Sequence, residues 1–460
     1  MSLAVIILAA GEGTRMKSSY PKVLHNICEK PMIHHVLETV NKLGPERIVA
    51  VVGYKAEMVV KAIEGVEFVV QKEQLGTGHA VSVVEGVLDS FNGDIMVLSG
   101  DTPLLKAQTL SNLLDIHRTT DAASTLLTAK MDDPTGYGRI IRAPSGVVTA
   151  IIEEKDATNE QKLINEVNTG TYCFDKKKLF DSLKQIDPNN KQKEYYLTDV
   201  IKVLNGSNEK VVAASANDPM ETIGINNRVQ LAEAEKILRR EINKKLMLEG
   251  VTIIDPDTTF ISAEAKIGKD TIIYPMTFIS GNTKIGESCL IGPLSRLINC
   301  RIGSFVTIDS AVVRESTVED YAELGPFCHI RPGTLIRKGA KVGGFVEIKK
   351  SEVGQNSKVP HLSYIGDTYI GDYVNIGAGT ITCNYDSVSK HKTVIEDGAF
   401  IGSDTMLVAP VKIGRGAFTG AGSVISKDVP EDSLAVERTE QVIVDNWAKK
   451  RRRKKGISEG

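Results

Sequence analysis

The chain has 460 residues, of which 42% are hydrophobic and 25% are charged. These fractions are close to the averages of soluble globular proteins, so they exclude a disordered or fibrous chain, and the length predicts about two to four domains. The 56 Lys and Arg residues nearly balance the 58 Asp and Glu residues. The net charge therefore gives no indication of an anionic partner, and any phosphate binding has to come from local sites.

The cysteines and the first apolar run both bear on location. Six cysteines are scattered without a CxxC pair, which is typical of reduced thiols in a cytosolic protein and argues against disulfides and structural zinc. The apolar run at residues 3–10 is too short to span a membrane and lacks the features of a signal peptide. We therefore predict a cytoplasmic protein with no membrane span.

The first part of the chain alternates two kinds of segment. Short β-branched runs occur at residues 4–8, 48–52, 67–70 and 95–98, and stretches with helical spacing lie between them. This alternation predicts an α/β domain over residues 1–226, with a mostly parallel, Rossmann-like sheet covered by helices.

A helical linker is predicted next, over residues 227–250. Asn226 and Asn227 can cap a helix, and many charged residues follow them. Apolar residues recur in this stretch every three to four positions, at Leu231, Ala234, Leu238, Ile242 and Leu246.

A six-residue repeat begins near residue 251. Aliphatic residues follow it at Ile267, Ile273, Ile279, Ile285, Ile291 and Leu297, then after one slip at Val306, Val312, Val318, Leu324, Ile330, Ile336, Val342 and Ile348, and again at Val353, Val359 and Ile365. After an interruption near residues 370–392 the repeat resumes at Ile395, Ile401, Leu407, Ile413 and Ile425, with Thr419 as its polar member. A period of six fits neither an α-helix nor a flat strand, but it fits a β-helix in which each face contributes one inward side chain. We predict about ten turns in a domain of residues 251–460, in preference to a sandwich with accidental spacing.

Two stretches of this second part depart from the repeat. Residues 382–392 break it and carry Asn384, Tyr385, Lys390 and His391, so we expect a loop on a functional face of the β-helix. Residues 449–455 are all basic. We interpret them as a solvated basic tail, in preference to a segment that binds nucleic acid or a membrane.

A first chemical site is predicted where the first strand ends. Residues 8–16 read LAAGEGTRM, and Gly11 and Gly13 let backbone N–H groups approach phosphates at the carboxyl end of a strand. The loop lacks the third glycine of a dinucleotide-binding motif and the Gly-Lys-Ser/Thr of a Walker A loop. Arg15 and Lys22 follow it, and they can balance the charge of a triphosphate and of leaving pyrophosphate.

A carboxylate ends another predicted strand. Asp101 follows the apolar run at residues 95–98, where it can hold Mg²⁺ together with substrate phosphates. A turn or helix cap is the alternative role of Asp101.

Three histidines lie in the repeat region: His329, His361 and His391. They are either surface residues or, across subunits, ligands of a zinc ion. Their immediate neighbours in the sequence favour neither alternative.

The motifs of the chain resemble those of a known family. In the first part these are LAAGEGTRM at 8–16, PKVL at 21–24, QLGTGHA at 74–80, SGD at 99–101, GYGR at 136–139, EYYLTD at 194–199 and INNR at 225–228. In the second part they are RPG at 331–333, EIKK at 347–350, KVPHLSYIG at 358–366, NIGAGT at 375–380, CNY at 383–385 and GSD at 402–404. Together they resemble sugar-1-phosphate nucleotidyltransferases, and most closely the bacterial bifunctional N-acetylglucosamine-1-phosphate uridylyltransferase/glucosamine-1-phosphate N-acetyltransferase family, over essentially the whole chain.

The resemblance implies a uridylyltransferase site in the first part. UTP and the UDP-sugar are expected at Leu8, Ala9, Ala10, Gly11, Lys22, Ser99, Gly100 and Asp101, with Gln71, Gly76 and Thr77 on the uracil ring. Mg²⁺ is expected on Asp101 and Asn226, and the sugar on Gly138, Glu153, Asn168 and Asn226. Arg15 and Lys22 would stabilise charge as pyrophosphate leaves.

The resemblance also implies an acetyltransferase site in a left-handed β-helix. Glucosamine-1-phosphate is expected at Arg331, Lys349, Tyr364, Asn375 and Lys390, and acetyl-CoA at Ala378, Asn384, Tyr385, Ser403, Ala421 and Arg438. His361 would be the general base, because an ammonium must lose a proton before its nitrogen attacks a thioester. Asn384 or a backbone N–H near Ser403 is the expected oxyanion donor. Glu437 beside Arg438 would partly cancel the attraction of that arginine for coenzyme phosphates.

The function expected from these residues is bifunctional synthesis of UDP-N-acetylglucosamine by a homotrimer, with no nucleic-acid partner. Glucosamine-1-phosphate would be acetylated by direct transfer from acetyl-CoA, and N-acetylglucosamine-1-phosphate would then take the uridylyl group of UTP. One alternative is a monofunctional nucleotidyltransferase with a structural or regulatory β-helix. Another is a second half that is a zinc-dependent lyase or a non-catalytic scaffold.

Overall fold

The protein is described by a computed structural model over residues 2–455. The chain divides into two compact units between Arg239 and Arg240. Each unit has its own core and is described in turn. None of the helices within residues 2–455 is both long enough and apolar enough to cross a membrane.

The first unit is an α/β domain. Its strands are β1 (Ser2–Ala9), β2 (Asn26–Ile27), β3 (Lys30–Pro31), β4 (Arg47–Val52), β5 (Glu67–Val70), β6 (Gly93–Ser99), β7 (Ser124–Lys130), β8 (Arg139–Arg142), β9 (Val148–Ile152), β10 (Glu166–Asp175) and β11 (Val211–Ser215). Its helices are α1 (Met32–Asn41), α2 (Ala56–Ala62), α3 (Thr77–Ser82), α4 (Ala107–Thr120), α5 (Asn159–Lys162), α6 (Lys176–Leu183) and α7 (Asp199–Gly206). Short 3-10 helices lie at Thr14–Met16, Lys22–Leu24, Glu85–Leu88 and Pro219–Thr222.

The main sheet of this unit is mixed. Its strand order is β11-β7-β10-β6-β1-β4-β5, and a β8–β9 hairpin extends from β10. The predicted parallel part is present as β5-β4-β1-β6, whereas β10 runs antiparallel to both β6 and β7. Because β1, β4, β5 and β6 are parallel, the loops that follow them open on the same edge of the sheet.

The central strand is buried on both faces of the sheet. Val5 and Ile7 pack into one apolar cluster, while Ala4 and Ile6 pack into the cluster on the opposite face. Successive side chains of a strand point to opposite faces, so a continuous apolar run is what a strand covered by helices on both sides requires. Packing on both faces therefore fixes the position at which the following loop begins.

The helix α8 (Arg228–Leu248) contains the boundary between the two units. In its first part Ala234 is buried, and Glu235 accepts a hydrogen bond from the backbone N–H of Cys28 at 2.6 Å. In its second part Leu246 belongs to the apolar cluster of the second unit, with Ile242 packed against it.

The second unit is a left-handed β-helix of hexapeptide repeats with three parallel faces of 11, 10 and 9 strands. The first face contains Thr252–Ile253, Ile272–Ile273, Leu290–Ile291, Thr307–Ile308, Glu323–Leu324, Lys341–Gly344, Lys358–His361, Asn375–Ile376, Phe400–Ile401, Phe418–Thr419 and Leu434–Ala435. The second face contains Phe260–Ile261, Phe278–Ser280, Arg296–Ile298, Val312–Arg314, His329–Ile330, Glu347–Lys349, Tyr364–Gly366, Ile381–Cys383, Met406–Val408 and Val424–Ile425. The third face contains Lys266–Ile267, Lys284–Ile285, Arg301–Ile302, Thr317–Val318, Leu335–Ile336, Glu352–Val353, Thr368–Ile370, Thr393–Ile395 and Val411–Ile413. A final helix, α9 (Trp447–Lys454), follows them.

The inward ladder departs from the predicted register in its early turns. The predicted inward position is wrong for Val312, whereas Val306 belongs to the buried core of the β-helix. Val306 is buried just before its strand, Val312 is half-buried, and the inward strand positions are Ile308 and Val313. Several steps of the ladder span five residues instead of six, including the one from Ile308 to Val313, because the β-helix shortens some corners while keeping its inward side chains stacked.

The predicted interruption is shorter than expected, because Thr382 keeps its place in the ladder. It is buried and pairs with Leu407, and its hydroxyl accepts the N–H of Gly366 at 2.7 Å. The insertion is a hairpin-like loop after Cys383, in which Tyr385 forms an isolated bridge with Lys390.

The polar member of the repeat, Thr419, also has a structural explanation. Its side chain is buried, and its hydroxyl accepts a hydrogen bond from the backbone N–H of Gly402 at 2.9 Å. The Thr405 hydroxyl lies 3.2 Å away. A buried hydroxyl is tolerated in an apolar core when it is hydrogen-bonded in this way.

Candidate active sites

The expected nucleotide loop lies at the carboxyl edge of the main sheet. Leu8 pairs with Ser99 across β1 and β6, and the Gly100 N–H donates to the Leu8 carbonyl at 2.9 Å. The Ala10 carbonyl accepts from the N–H of Tyr54 at 3.1 Å. The loop that follows Ala10 and the segment from Ser99 onward therefore start side by side, as the sequence predicted.

A charged cluster lies in front of this edge. The Lys22 ammonium pairs with the Asp101 carboxylate and donates to the Asn226 side-chain oxygen at 3.1 Å. The Arg15 guanidinium donates to that same oxygen at 2.9 Å, and the Ser99 hydroxyl donates to Asp101 at 2.6 Å. Residues far apart in the sequence thus meet at one point, with two cations and one carboxylate within a few ångströms.

The residues expected at the uracil ring also converge. Gln71 is buried, and its amide nitrogen donates to the Gly76 carbonyl at 3.1 Å. Gly76 has φ of 107°, and a Cβ there would lie 2.6 Å from the Tyr195 carbonyl, so only glycine fits. The Thr77 hydroxyl accepts the N–H of Leu197 at 3.0 Å, which ties this loop to the next segment of the chain.

The residues expected at the sugar form a neighbouring group. A Cβ on Gly138 would lie 3.6 Å from both Asn168 and Glu153, and the Asn168 N–H donates to the Gly138 carbonyl at 2.8 Å. Burial raises the pKa of the Glu153 carboxyl, although the Thr198 hydroxyl donates to it at 3.1 Å. Glu153 also lines a cleft of about 520 Å³.

Two functional neighbours were not selected from the sequence. Thr198 orients Glu153, as just described, and Tyr137 hydrogen-bonds the backbone of Gly224 beside the charged cluster. Burial raises the pKa of the Tyr137 hydroxyl, so it stays protonated and can donate. Both residues lie inside motifs already quoted, EYYLTD and GYGR, and that position was the available signal.

The charged cluster fits a hard divalent cation. The Asp101 carboxylate and the Asn226 amide oxygen both lie within bonding reach of the Lys22 ammonium, so two oxygen donors converge on one cationic point. One carboxylate with substrate phosphates and water is the donor set that Mg²⁺ prefers. Within residues 2–455, no group of three or more His, Cys, Asp or Glu side chains is placed to hold a metal by itself.

A second cationic cluster lies on the second face of the β-helix. The Arg331 guanidinium donates a hydrogen bond to the Glu347 carboxylate at 2.7 Å. Lys349 follows one turn later in the strand Glu347–Lys349. Close approach of the Lys390 ammonium, which the insertion loop supplies, lowers the pKa of Lys349. A phosphate dianion bound beside these two lysines would relieve their repulsion.

Tyr364 and Asn384 lie beside this cluster. A Cβ on Gly366 would lie 2.7 Å from both the Tyr364 hydroxyl and the Asn384 amide nitrogen, so glycine at this position lets the two side chains approach. Asn384 is buried, and its amide nitrogen donates to Asp367 at 2.6 Å. Asp367 was not selected from the sequence, where its one signal was an acidic residue at a corner directly after a quoted motif.

His361 lies at the end of a first-face strand, and residues of successive turns stack beside it in what we call the His361 column. Lys358 pairs with Asn375, and Asn375 pairs with Phe400. Three residues further along each turn, His361, Ala378 and Ser403 are therefore level with one another. The same register, continued through Phe400 and Phe418, places Ala421 next. The His361 side chain is exposed.

Arg438 and Tyr385 are two further expected coenzyme ligands. Arg438 donates to the carbonyl of Ala421 at 3.3 Å. Glu437, which is expected to weaken the attraction of Arg438 for coenzyme phosphates, accepts the N–H of Val424 at 3.3 Å. Tyr385 is exposed on the insertion loop, where its hydroxyl donates to the Ser387 carbonyl.

The position of Asn375 differs from that of the other expected sugar ligands. It lies within the first face, whereas Arg331, Lys349 and Tyr364 belong to the second face or to the residue following its strands. The insertion loop is braced by a pair of side chains, since His391 lies 2.7 Å from Asp386. Backbone N–H groups of the loop and then His391 hold the pKa of Asp386 well below its usual range.

Each half of the chain matches a known protein family. The nucleotidyl transferase family matches residues 4–219, and the bacterial transferase hexapeptide family (six repeats) matches residues 392–427. A protein from Pelotomaculum thermopropionicum named bifunctional protein GlmU is 54% identical over 99% of this chain and 100% of its own length. Proteins of the same name from Shouchella clausii and Heliobacterium modesticaldum are 50% and 52% identical over 97% and 96% of this chain, and over 98% and 97% of their own lengths. The chain therefore belongs to the family of GlmU bifunctional proteins.

Proposed function

We propose that this protein makes UDP-N-acetylglucosamine in two steps, each catalysed by one half of the chain. The uridylyltransferase domain is assigned to residues 1–226, the helical linker to 227–250 and the acetyltransferase domain to 251–460. The observation that carries the proposal is the presence of two separate cationic clusters, one in each unit, each flanked by polar residues suited to a sugar. Membership of a bifunctional family supports the same division.

In the uridylyl transfer, an oxygen of the phosphate of N-acetylglucosamine-1-phosphate attacks the α-phosphorus of UTP. The bond from that phosphorus to the bridging oxygen breaks, and pyrophosphate leaves with the electron pair. Lys22 and Arg15 supply positive charge where the pyrophosphate forms. Glu153 and Asn168 accept and donate hydrogen bonds to the sugar, which fixes the attacking phosphate in line.

Mg²⁺ is proposed as the cofactor of this half, held by Asp101, Asn226 and phosphate oxygens. When bound, it neutralises phosphate charge and orients the triphosphate. Lys22 contacts both of these oxygen donors, so its ammonium lies where it could also contact a phosphate of UTP.

In the acetyl transfer, His361 takes a proton from the ammonium of glucosamine-1-phosphate. The free amine attacks the thioester carbonyl of acetyl-CoA, and the C–S bond breaks. The nitrogen gives up its extra proton as the amide forms, and the leaving thiolate takes up a proton and departs as a thiol. Arg331 and Lys349 hold the sugar phosphate, with Lys390 completing the cluster. Direct transfer is favoured because burial raises the pKa of the thiols of Cys289, Cys300 and Cys328, which makes them poor nucleophiles. 

The oxyanion of this reaction has a preferred donor among the two expected. Asn384 already donates to Asp367. A Cβ on Gly377 would lie 2.4 Å from the Ser403 nitrogen, so glycine at 377 leaves that backbone group uncovered on one side. We favour the Ser403 N–H, which lies in the His361 column.

We further propose that the protein acts as a homotrimer. An apolar corner stripe runs along the β-helix, and its members are 55% to 66% exposed: Met276, Leu294, Phe327, Phe345 and Leu362. All five adopt positive φ, a corner geometry that they share with polar residues such as Ser288, Ser310 and Asn356. Leu362 directly follows His361, so a second copy that covers the stripe also reaches the acetyltransferase site. A Phe345→Asp substitution should dissociate the trimer in sedimentation analysis and lower acetyl transfer with it.

The cytoplasm is the proposed location. All six cysteines are free thiols, as expected in a reducing compartment. Five of them are buried, and Cys383 is half-buried.

The test of the two-site proposal measures both reactions in the full chain. His361→Ala should abolish thiol release from acetyl-CoA with glucosamine-1-phosphate and leave UTP-dependent pyrophosphate release intact. Asp101→Ala should give the opposite pattern, and His329→Ala is the matched histidine control for the β-helix. Absence of any thiol release by the wild type would reduce the protein to a nucleotidyltransferase with a scaffold. Stoichiometric zinc that is lost in His361→Ala would favour the lyase alternative.

A further inference from the structure

The segment after the last β-helix strand carries a feature that neither reaction uses. Residues 436–455 are exposed throughout. Within them Val442 is 83% exposed, Ile443 75% and Trp447 54%. Apolar side chains this exposed are unusual in consecutive positions, and seven basic residues follow them at 449–455.

The charge of this segment contrasts with that of the rest of the chain. The whole chain has a net charge of −2, and residues 449–455 contribute seven positive charges without any acidic residue. The remaining residues therefore carry a net charge of about −9. An anionic surface would repel the body of the protein and attract this segment, so electrostatics orients any such encounter.

The local structure combines the basic and apolar groups. Most of the basic residues lie on α9, where Arg451 stacks on the Trp447 ring with its guanidinium carbon 5.0 Å from the ring centroid. Trp side chains favour the interface between lipid headgroups and acyl chains, and clusters of four to eight basic residues bind anionic lipids. Nucleic acid would engage the basic residues but would leave Val442 and Ile443 in water.

We propose that residues 442–455 attach the protein to an anionic lipid surface. The basic residues provide the attraction, and Ile443 and Trp447 with their aliphatic neighbours enter the interfacial layer. The sequence alone favoured a solvated basic tail, because a run of like charges is usually solvated. The attachment is peripheral, and it is independent of either catalytic site.

The test is sedimentation of the full-length protein with lipid vesicles. One set contains phosphatidylcholine alone, and in the other about a third of the lipid is phosphatidylglycerol. The wild type should bind only the anionic vesicles, and binding should weaken as salt is raised. A variant with Arg451→Gln, Arg452→Gln and Arg453→Gln should bind about a hundredfold more weakly, from roughly a factor of five for each charge.

Two further variants test whether vesicle binding depends on this segment in particular and whether the segment prefers lipid to another polyanion. Lys266→Gln, Lys284→Gln and Arg301→Gln remove three exposed charges from the third face, and this variant should bind vesicles like the wild type. Ile443→Ser with Trp447→Ser should weaken vesicle binding while leaving any binding to a single-stranded RNA unchanged. Equal binding by the wild type and the triple arginine variant would overturn the proposal. Binding to that RNA more tightly than to anionic vesicles would also overturn it, in favour of a nucleic-acid partner.

Discussion

Asp101 offers the sharpest test of the uridylyltransferase site. It is 7% exposed, and its carboxylate receives the Lys22 ammonium on one oxygen and the Ser99 hydroxyl at 2.6 Å on the other. Asp101→Asn keeps the size of the side chain and removes its charge. Lys22 then faces only neutral amide oxygens, at positions 101 and 226, and position 101 no longer offers a charged oxygen to a divalent cation.

The expected effect on catalysis follows from the role of this charge. Removing one preorganised electrostatic group from a transition state costs about a hundredfold to a thousandfold in kcat, or roughly 2.7 to 4 kcal/mol. We expect Asp101→Asn to lower kcat for pyrophosphate release by at least about a hundredfold at saturating UTP and Mg²⁺. Acetyl transfer by the same preparation should be unchanged.

A matched control is available on the same strand. Asp94 lies on β6, near the end opposite to Asp101, is 6% exposed, and accepts the Arg118 guanidinium at 2.7 Å. Asp94→Asn therefore also removes a buried, paired carboxylate, and it should lower stability without lowering kcat. Retention of uridylyl transfer by folded Asp101→Asn to within about threefold of the wild type would refute the reasoning. Equal losses in the two variants would show that the effect comes from folding.

Three further predictions follow from other contacts. Since burial raises the Glu153 pKa, the folded state loses stability relative to the unfolded state as pH rises above the ordinary carboxyl pKa of about 4.3. Glu153→Gln should therefore melt at a higher temperature than the wild type at pH 7.5, by a margin that shrinks toward pH 4.5, and it should bind N-acetylglucosamine-1-phosphate more weakly. Thr419→Val should destabilise the β-helix by about 1 to 3 kcal/mol in urea unfolding, because the Gly402 N–H loses its buried acceptor. Lys390→Met should raise the pKa of Lys349, as measured by NMR of the methylated lysines, because the neighbouring ammonium is gone.

Each of these has an outcome that would contradict it. A constant difference in melting temperature between Glu153→Gln and the wild type from pH 4.5 to 7.5 would mean that Glu153 is not the titrating group. Thr419→Val as stable as the wild type would mean that the Gly402 N–H finds another acceptor. An unchanged Lys349 pKa in Lys390→Met would place the two lysines further apart in solution.

Much of the architecture could be read from local pattern. The hexapeptide period predicted the three-faced β-helix, because each inward side chain is set by its place in a short repeat. The β-branched runs likewise predicted the parallel part of the main sheet. The register was predicted less well. The inward strand positions are Ile308 and Val313, and Val312 is only half-buried although Val306 is in the core, because the length of each corner depends on how successive turns stack. The antiparallel strand β10 also depended on pairing with β6 and β7, which its own residues do not specify.

The sequence by itself determined which residues carry the chemistry, through a glycine loop after a strand, a carboxylate after another strand, and motifs shared with a known family. Only the tertiary structure decided which of them meet. Lys22 contacts Asp101 and Asn226 across 79 and 204 residues of sequence, and Lys349 meets Lys390 through the insertion loop. Thr198 and Asp367, which orient Glu153 and Asn384, were not selected at all. The physical reason is that propensity and periodicity act over a few residues, whereas side chains distant in sequence are brought together by the packing of whole sheets and turns.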